Sequence, residues 1–177
     1  TVASVDEQGQ QLLAQVENAV SLNGLLADLY KHFPSAEALS DQLSTKLSSR
    51  AAAHNGPVVG ILTSRLRPID RTVLIDTIRE LLDSDTRLYV VSTQLIEAGV
   101  DVSFERAYRD LAPLPSLIQT AGRCNREFGD ETSEVVIWRL ASPEYEIATG
   151  DIIYRDSYDL LEPTRQTLND IHTDGQV

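Results

Sequence analysis

The 177 residues include no methionine, one cysteine, one tryptophan and only two lysines, Lys31 and Lys46. A lone thiol, Cys124, excludes a disulfide framework within the chain and fits a reducing compartment, so a cytoplasmic location is expected. No stretch approaches the ~20 apolar residues of a membrane span, and no charged segment followed by an apolar run marks a secretory signal. There is no G-x-x-x-x-G-K-S/T phosphate loop, no D-E-x-H or D-E-x-D run to hold magnesium, and no His/Asp cluster. His32, His54 and His172 are scattered and read as surface residues. Neither ATP hydrolysis nor nucleic-acid cleavage is therefore expected of this chain by itself. It opens on Thr1, so it is expected to be a fragment excised from a larger protein.

What is present suits one α/β domain with a packed core: 42% of residues are hydrophobic. The net charge of −12 argues against nucleic-acid binding by the whole surface. The charge is uneven, however. From Ile61 to Arg126, nine arginines meet nine acidic residues; outside that window, six basic residues face eighteen acidic ones. The cationic groups thus gather in a neutral centre able to present arginines to phosphates. An acidic, lysine-poor surface raises a salt-adapted source; compositional bias is the simpler reading.

The centre runs from Leu88 to Arg126. Leu88–Val91 is a short apolar run between polar residues and reads as a buried strand. Ser92 and Thr93 then stand at its carboxyl end, where open α/β sheets place ligands and where hydroxyls suit a phosphate. Gln94–Ala98 reads as a short helix. Gly99 permits a close backbone approach, and the Asp101 carboxylate can accept from a ribose hydroxyl or an arginine. Ala107–Arg109 reads as a strand and Leu111–Pro115 as an extended connection. The spacing predicts a helix over Ser116–Cys124 bearing Gln119 and Arg123, with Arg126 near its end. Arg123 and Arg126 are three apart, so on a helix they share a face and form a fork suited to phosphate oxygens. The bland alternative is a turn glycine and a solvated helix face. Cys124 lies between the arginines; electropositive neighbours would lower its pKa, whereas a packing role needs no such effect.

Elsewhere, Gln11–Val16 reads as a strand, and Leu22, Leu25, Leu26, Leu29, Tyr30 and Phe33 as one helix face, capped by Ser21 and stopped by Pro34. Residues 35–55 form a candidate surface helix or insertion with no chemistry assigned. Val58–Thr63 is a buried strand followed by Ser64, Arg65, Arg67 and Arg71. A helix from Pro68 to about Asp83 follows, with Val73, Leu74, Ile78, Leu81 and Leu82 as its apolar side. Glu134–Leu140 is the last strong strand, with Trp138 in the core or facing a partner, and a closing helix is expected over 157–170. Strands alternating with helices imply a parallel sheet with right-handed crossovers.

The segments TQLIEAGVD and YRDLAPLPSLIQTAGRCNR resemble motifs V and VI of a superfamily 2 helicase, in its second RecA-like (helicase C-terminal) domain. Their wording is similar to that of the CRISPR-associated helicase–nuclease of type I interference systems. Asn18-Ala19-Val20 resembles motif IV, with Ala19 where the family more often has Thr. LTSR at Leu62–Arg65 resembles the family's L-H-S-R, with Thr63 in place of His. Thr120 replaces the usual Arg after Gln119, and the segment with Tyr158, Leu160 and Leu161 also has a family counterpart.

The resemblance implies a RecA-like three-layer sandwich: a mostly parallel sheet of about five or six strands with helices on both faces. It implies that Arg123 and Arg126 act as arginine fingers on ATP, which is held with Mg²⁺ mainly by the first RecA-like domain. Gly99, Asp101 and Gln119 would contact the nucleotide. Ser64, Arg65, Thr93 and Gln94 would hold single-stranded DNA. The implied partners are that first domain and a nuclease domain of the same protein, single-stranded DNA and an RNA-guided surveillance complex, with no membrane. A helicase of another superfamily 2 branch, or a protein-binding domain on a helicase-derived scaffold, remains open at this point.

Overall fold

A computed structural model describes residues 10–11, 14–15, 19–29, 42–43, 45–47, 49, 56–97, 100–124, 133–140 and 147–174. The chain divides into two units, Thr1–Val100 and Asp101–Val177.

In the first unit, β1 (Val20–Ser21), β2 (Val58–Leu62) and β3 (Leu88–Ser92) form a sheet in the order β1-β2-β3, with both pairings parallel. Helix α1 (Leu22–Leu29) leaves β1 without an intervening loop. Ser21 makes this junction possible: it ends the strand, and its Oγ accepts the Gly24 N–H at 3.2 Å, which caps the helix. Leu22, Leu25, Leu26 and Leu29 are all buried. They recur at helical spacing and turn one stripe onto the sheet. Gly60 in β2 permits this approach, because a Cβ there would meet Leu22 Cδ1 at 3.1 Å.

Helix α2 (Pro68–Leu82) starts on a proline, whose missing N–H costs nothing in the first turn. It buries Val73, Leu74, Thr77 and Ile78, and the Thr77 hydroxyl donates to the Val73 carbonyl at 2.8 Å. Leu81 and Leu82, expected on the same apolar side, are only half-buried. Each fully buried Leu, Val or Ile of this core contributes about 1.5–3 kcal/mol relative to exposure.

The sequence predicts a strand over Gln11–Val16, but residues 10–11 and 14–15 are helical. The segment, QLLAQV, has two Gln, two Leu, one Ala and one β-branched residue, so helix propensity prevails. The strand preceding α1 is instead Val20–Ser21. Of the expected 35–55 segment, residues 42–43, 45–47 and 49 are described and helical, with Leu43 and Leu47 buried one turn apart.

In the second unit, β4 (Arg106–Asp110) and β5 (Glu134–Trp138) pair in parallel, Arg106 opposite Glu134 and Asp110 opposite Trp138. The Tyr108 and Trp138 rings meet at 4.9 Å, tilted by 39°, which places Trp138 in intramolecular contact. Helix α3 (Leu114–Ala121) follows β4, and α4 (Thr149–Ile153) and α5 (Tyr158–Asp174) follow β5. Gly150 in α4 lies against the chain after β4. A Cβ there would sit 2.6 Å from the Leu111 carbonyl oxygen, so only glycine fits without displacing backbone.

The five described strands are thus shared between a three-stranded and a two-stranded parallel sheet. Among the described residues, no helix is long and apolar enough to cross a membrane.

Candidate functional site

Parallel strands in register end together, so the residues after them share one edge. Leu62 and Ser92 are register partners at the carboxyl ends of β2 and β3. One residue further on, the Thr93 N–H donates to the Leu62 carbonyl at 3.2 Å and holds the two exit points side by side. After β2 the chain turns tightly, with the Leu66 N–H on the Thr63 carbonyl at 3.2 Å, and Ser64 and Arg65 are exposed in that turn. After β3, Thr93 has extended geometry (φ −78°, ψ −167°) and precedes a 3₁₀ turn at Gln94–Ile96; Thr93 and Gln94 are both exposed. Ser64, Arg65, Thr93 and Gln94 therefore stand on one sheet edge, with three side chains that donate and accept and one cation.

Two neighbours define what is left for a ligand. Arg67 folds back on Asp70 through two contacts of 3.0 and 3.1 Å, so this arginine is engaged within its own helix start. Asn23 was not foreseen from sequence. Its Nδ2 donates to the Ile61 carbonyl at 3.0 Å, and its Oδ1 accepts the Ile61 N–H at 2.8 Å. A side-chain amide thus continues the β1–β2 ladder where β1 has ended. Asn in the first turn after a strand was the available signal, but it gives no partner by itself.

The second unit places three expected residues. Asp101 and Gln119 are exposed, and Arg123 is half-buried. Helix α3 ends at Ala121, not Cys124. The Gly122, Arg123 and Cys124 N–H groups fold back onto the Ile118, Thr120 and Ala121 carbonyls at 2.9, 3.0 and 2.9 Å, closing the last turn. Arg123 therefore sits in a turn, and the helical face that spacing alone predicts for Arg123 and Arg126 does not extend to it. The cause is tertiary. Cys124 bridges in parallel to Phe104, and the Phe104 N–H donates to the Arg123 carbonyl at 2.8 Å, drawing the chain out of helix just after Gly122. The same bridge lays the segment just after Asp101 beside the Arg123 turn. Gly99 and Arg126 lie outside the described residues. Helix α3 also starts two residues early, at Leu114, because Pro115 is tolerated in a first turn.

Cys124 is buried, and burial pushes its thiol up from the ordinary value. Between a raised and a lowered pKa the structure chooses the former, which fits packing and not nucleophilic reactivity.

Two further residues escaped sequence reasoning because each acts on backbone distant in sequence. Asp110 Oδ1 accepts the N–H groups of Leu111 and Leu140 at 2.9 and 3.0 Å, joining the ends of β4 and β5. Thr164 of α5 accepts the Leu114 N–H at 2.9 Å. Below them, Arg165 bridges Asp151 and Glu162. Burial alone would lower Arg165, but the hydrogen bonds and charges of these carboxylates outweigh it and hold the guanidinium above its ordinary value.

Alternating parallel strands and helices, with polar side chains gathered at strand carboxyl ends, define an α/β RecA-like domain. Residues 34–128, more than half of the chain, match the family of the CRISPR-associated nuclease/helicase Cas3, C-terminal region, and the chain belongs to that family. It is similar to the CRISPR-associated nuclease/helicase Cas3 of Haloferax volcanii, at 50% identity over 91 residues, which is 50% of this chain and 10% of that protein. It is also similar to the crystal structure of T. fusca Cas3-AMPPNP, with a TM-score of 0.54 and 25% identity, over 76% of this chain and 16% of that one. The T. fusca Cas3-ATP structure matches with a TM-score of 0.57 over 92% of this chain and 19% of that one; at 20% identity this speaks to the fold alone. The chain thus spans less than a fifth of each of these relatives.

Proposed function

We propose that the chain, both units included, is the second motor domain of an ATP-dependent DNA helicase of CRISPR type I interference, within a longer protein that also carries a nuclease domain. The observation that carries this is the shared edge where β2 and β3 end, with Ser64, Arg65, Thr93 and Gln94 set side by side in a member of the Cas3 C-terminal family. Hydroxyl, amide and guanidinium groups at strand ends suit the sugar–phosphate backbone of a single strand. In the second unit, an exposed carboxylate (Asp101), an exposed amide (Gln119) and a half-buried guanidinium (Arg123) suit ribose and phosphate contacts. These donor types fit a nucleotide held chiefly by another domain. When bound there with Mg²⁺, ATP supplies the free energy for strand movement. Arg123 and Arg126 place positive charge where it develops on the transferring phosphoryl group. Ser64, Arg65, Thr93 and Gln94 hold the strand, and closure and reopening of the nucleotide cleft shift that grip. An RNA-guided surveillance complex would deliver the target, in the cytoplasm.

The test is Arg126→Ala in the full-length protein. Single-strand-stimulated ATP turnover is expected to fall at least ~10²-fold with modest loss of ATP binding. Near-normal turnover would remove the arginine-finger assignment.

A further inference from the structure

The first N–H groups of a helix need partners from outside it. In α3 they can be followed one by one. Pro115 has none, and the Ser116 and Leu117 N–H groups reach the Pro113 carbonyl at 2.9 and 3.2 Å. Pro113, at the N-cap, offers no side-chain acceptor. The Leu114 N–H goes instead to Thr164 Oγ1 at 2.9 Å, a contact fifty residues away in sequence. Thr164 is 2% exposed, and its hydroxyl donates to the Leu160 carbonyl at 2.8 Å, so both the hydroxyl proton and a lone pair are committed. One turn earlier on the same helix, Leu161 is fully buried. The far end of α3 is fixed by the Phe104–Cys124 bridge. An eight-residue helix held at both ends sets the position of Gln119 on it and of Arg123 just beyond it.

We infer that Thr164 is a positioning residue for nucleotide hydrolysis: it caps α3 from the closing helix α5 and thereby sets where Gln119 and the Arg123 turn stand. This rests on the motor-domain reading above. It also gives α5 a task in the motor, since the cap ties that helix to the start of α3, whose opposite end leads into the Arg123 turn.

The experiment uses the full-length protein and reads kcat and KM of single-strand-stimulated ATP turnover. Thr164→Val, which keeps the shape and removes the hydroxyl, is expected to lower kcat about tenfold, because small misplacements of catalytic groups are costly. KM for ATP should stay within about twofold. Thr164→Ser restores the hydroxyl and should restore kcat. Leu161→Val removes core packing from the same helix without touching the cap, so it should lower the melting temperature and leave kcat unchanged. Normal kcat in Thr164→Val, or an equal fall in Leu161→Val, overturns the positioning role. If Thr164→Val does not fold, amide exchange at Leu114 in the unaltered protein decides: slow exchange supports the cap, and the rate of an open first-turn amide overturns it. Arg126→Ala run alongside separates the two claims, since lost turnover there with normal turnover in Thr164→Val removes only the positioning role.

Discussion

Replacing Asp110 isolates the contact that closes the β4–β5 edge. Its Oδ1 accepts the Leu111 N–H at 2.9 Å and the Leu140 N–H at 3.0 Å. The two donors would not fare equally in Asp110→Ala. The Leu111 N–H retains the Trp138 carbonyl at 2.8 Å, whereas no second acceptor is seen for the Leu140 N–H among the described residues. A hydrogen bond to a charged group contributes about 1.5–3 kcal/mol. Losing one fully and one in part puts Asp110→Ala at about 2–4 kcal/mol, toward the low end because the site is half-buried and water can reach it. Asp110→Asn retains a carbonyl acceptor and loses only the ionic share, roughly half of the bond strength, so it should cost about 1–2 kcal/mol. Trp138, the only tryptophan, is the register partner of Asp110 and reports this unit directly. Urea unfolding followed by Trp138 fluorescence should therefore show Ala shifting the midpoint about twice as far as Asn, with an unchanged slope. Equal shifts for the two variants, or no shift in either, would refute the reasoning.

Two other outcomes are expected. In the folded protein, Cys124 should react with iodoacetamide far more slowly than a free thiol at pH 8, because burial raises its pKa. The sign for stability follows: the neutral buried thiol contributes fully below the unfolded-state pKa of about 8.5, and that contribution is lost as pH rises toward the folded value. A fast reaction at pH 8, or stability rising through this window, would contradict the packing role. Arg65→Ala in the full-length protein should weaken single-strand binding and reduce its salt slope by up to about one unit; an unchanged slope would remove Arg65 from the strand contact.

Much of this fold was legible because its signals are local. Val58–Leu62 and Leu88–Ser92 are apolar runs between polar residues and both form strands, although the second, expected to be buried, is half-buried with Val91 exposed, and Pro68 starts its helix where a first-turn proline belongs. Ser21 capped α1 as its side chain suggested. Reading failed where tertiary contacts set the outcome. Residues 10–15 carry leucines that suit either element, and only their helix-favouring neighbours distinguish the two. Helix α3 stops short because Phe104 captures the Arg123 carbonyl, and nothing near Arg123 announces a partner nineteen residues upstream. Likewise Asn23, Asp110 and Thr164 are ordinary polar residues until the backbone groups they satisfy, thirty or more residues away, come into place. The Ser64–Arg65 and Thr93–Gln94 pairs were readable as strand-end residues, but their adjacency required the β2–β3 register.

The most direct test measures ATP affinity and the single-turnover rate of ATP cleavage side by side, for Arg123→Ala and Arg126→Ala in the full-length protein bound to single-stranded DNA. The account predicts affinity within a few-fold of the unaltered protein and a cleavage rate lower by about 10²-fold or more for at least one of the two. Unchanged cleavage in both variants would contradict it, as would a loss of affinity large enough to explain the whole loss of rate.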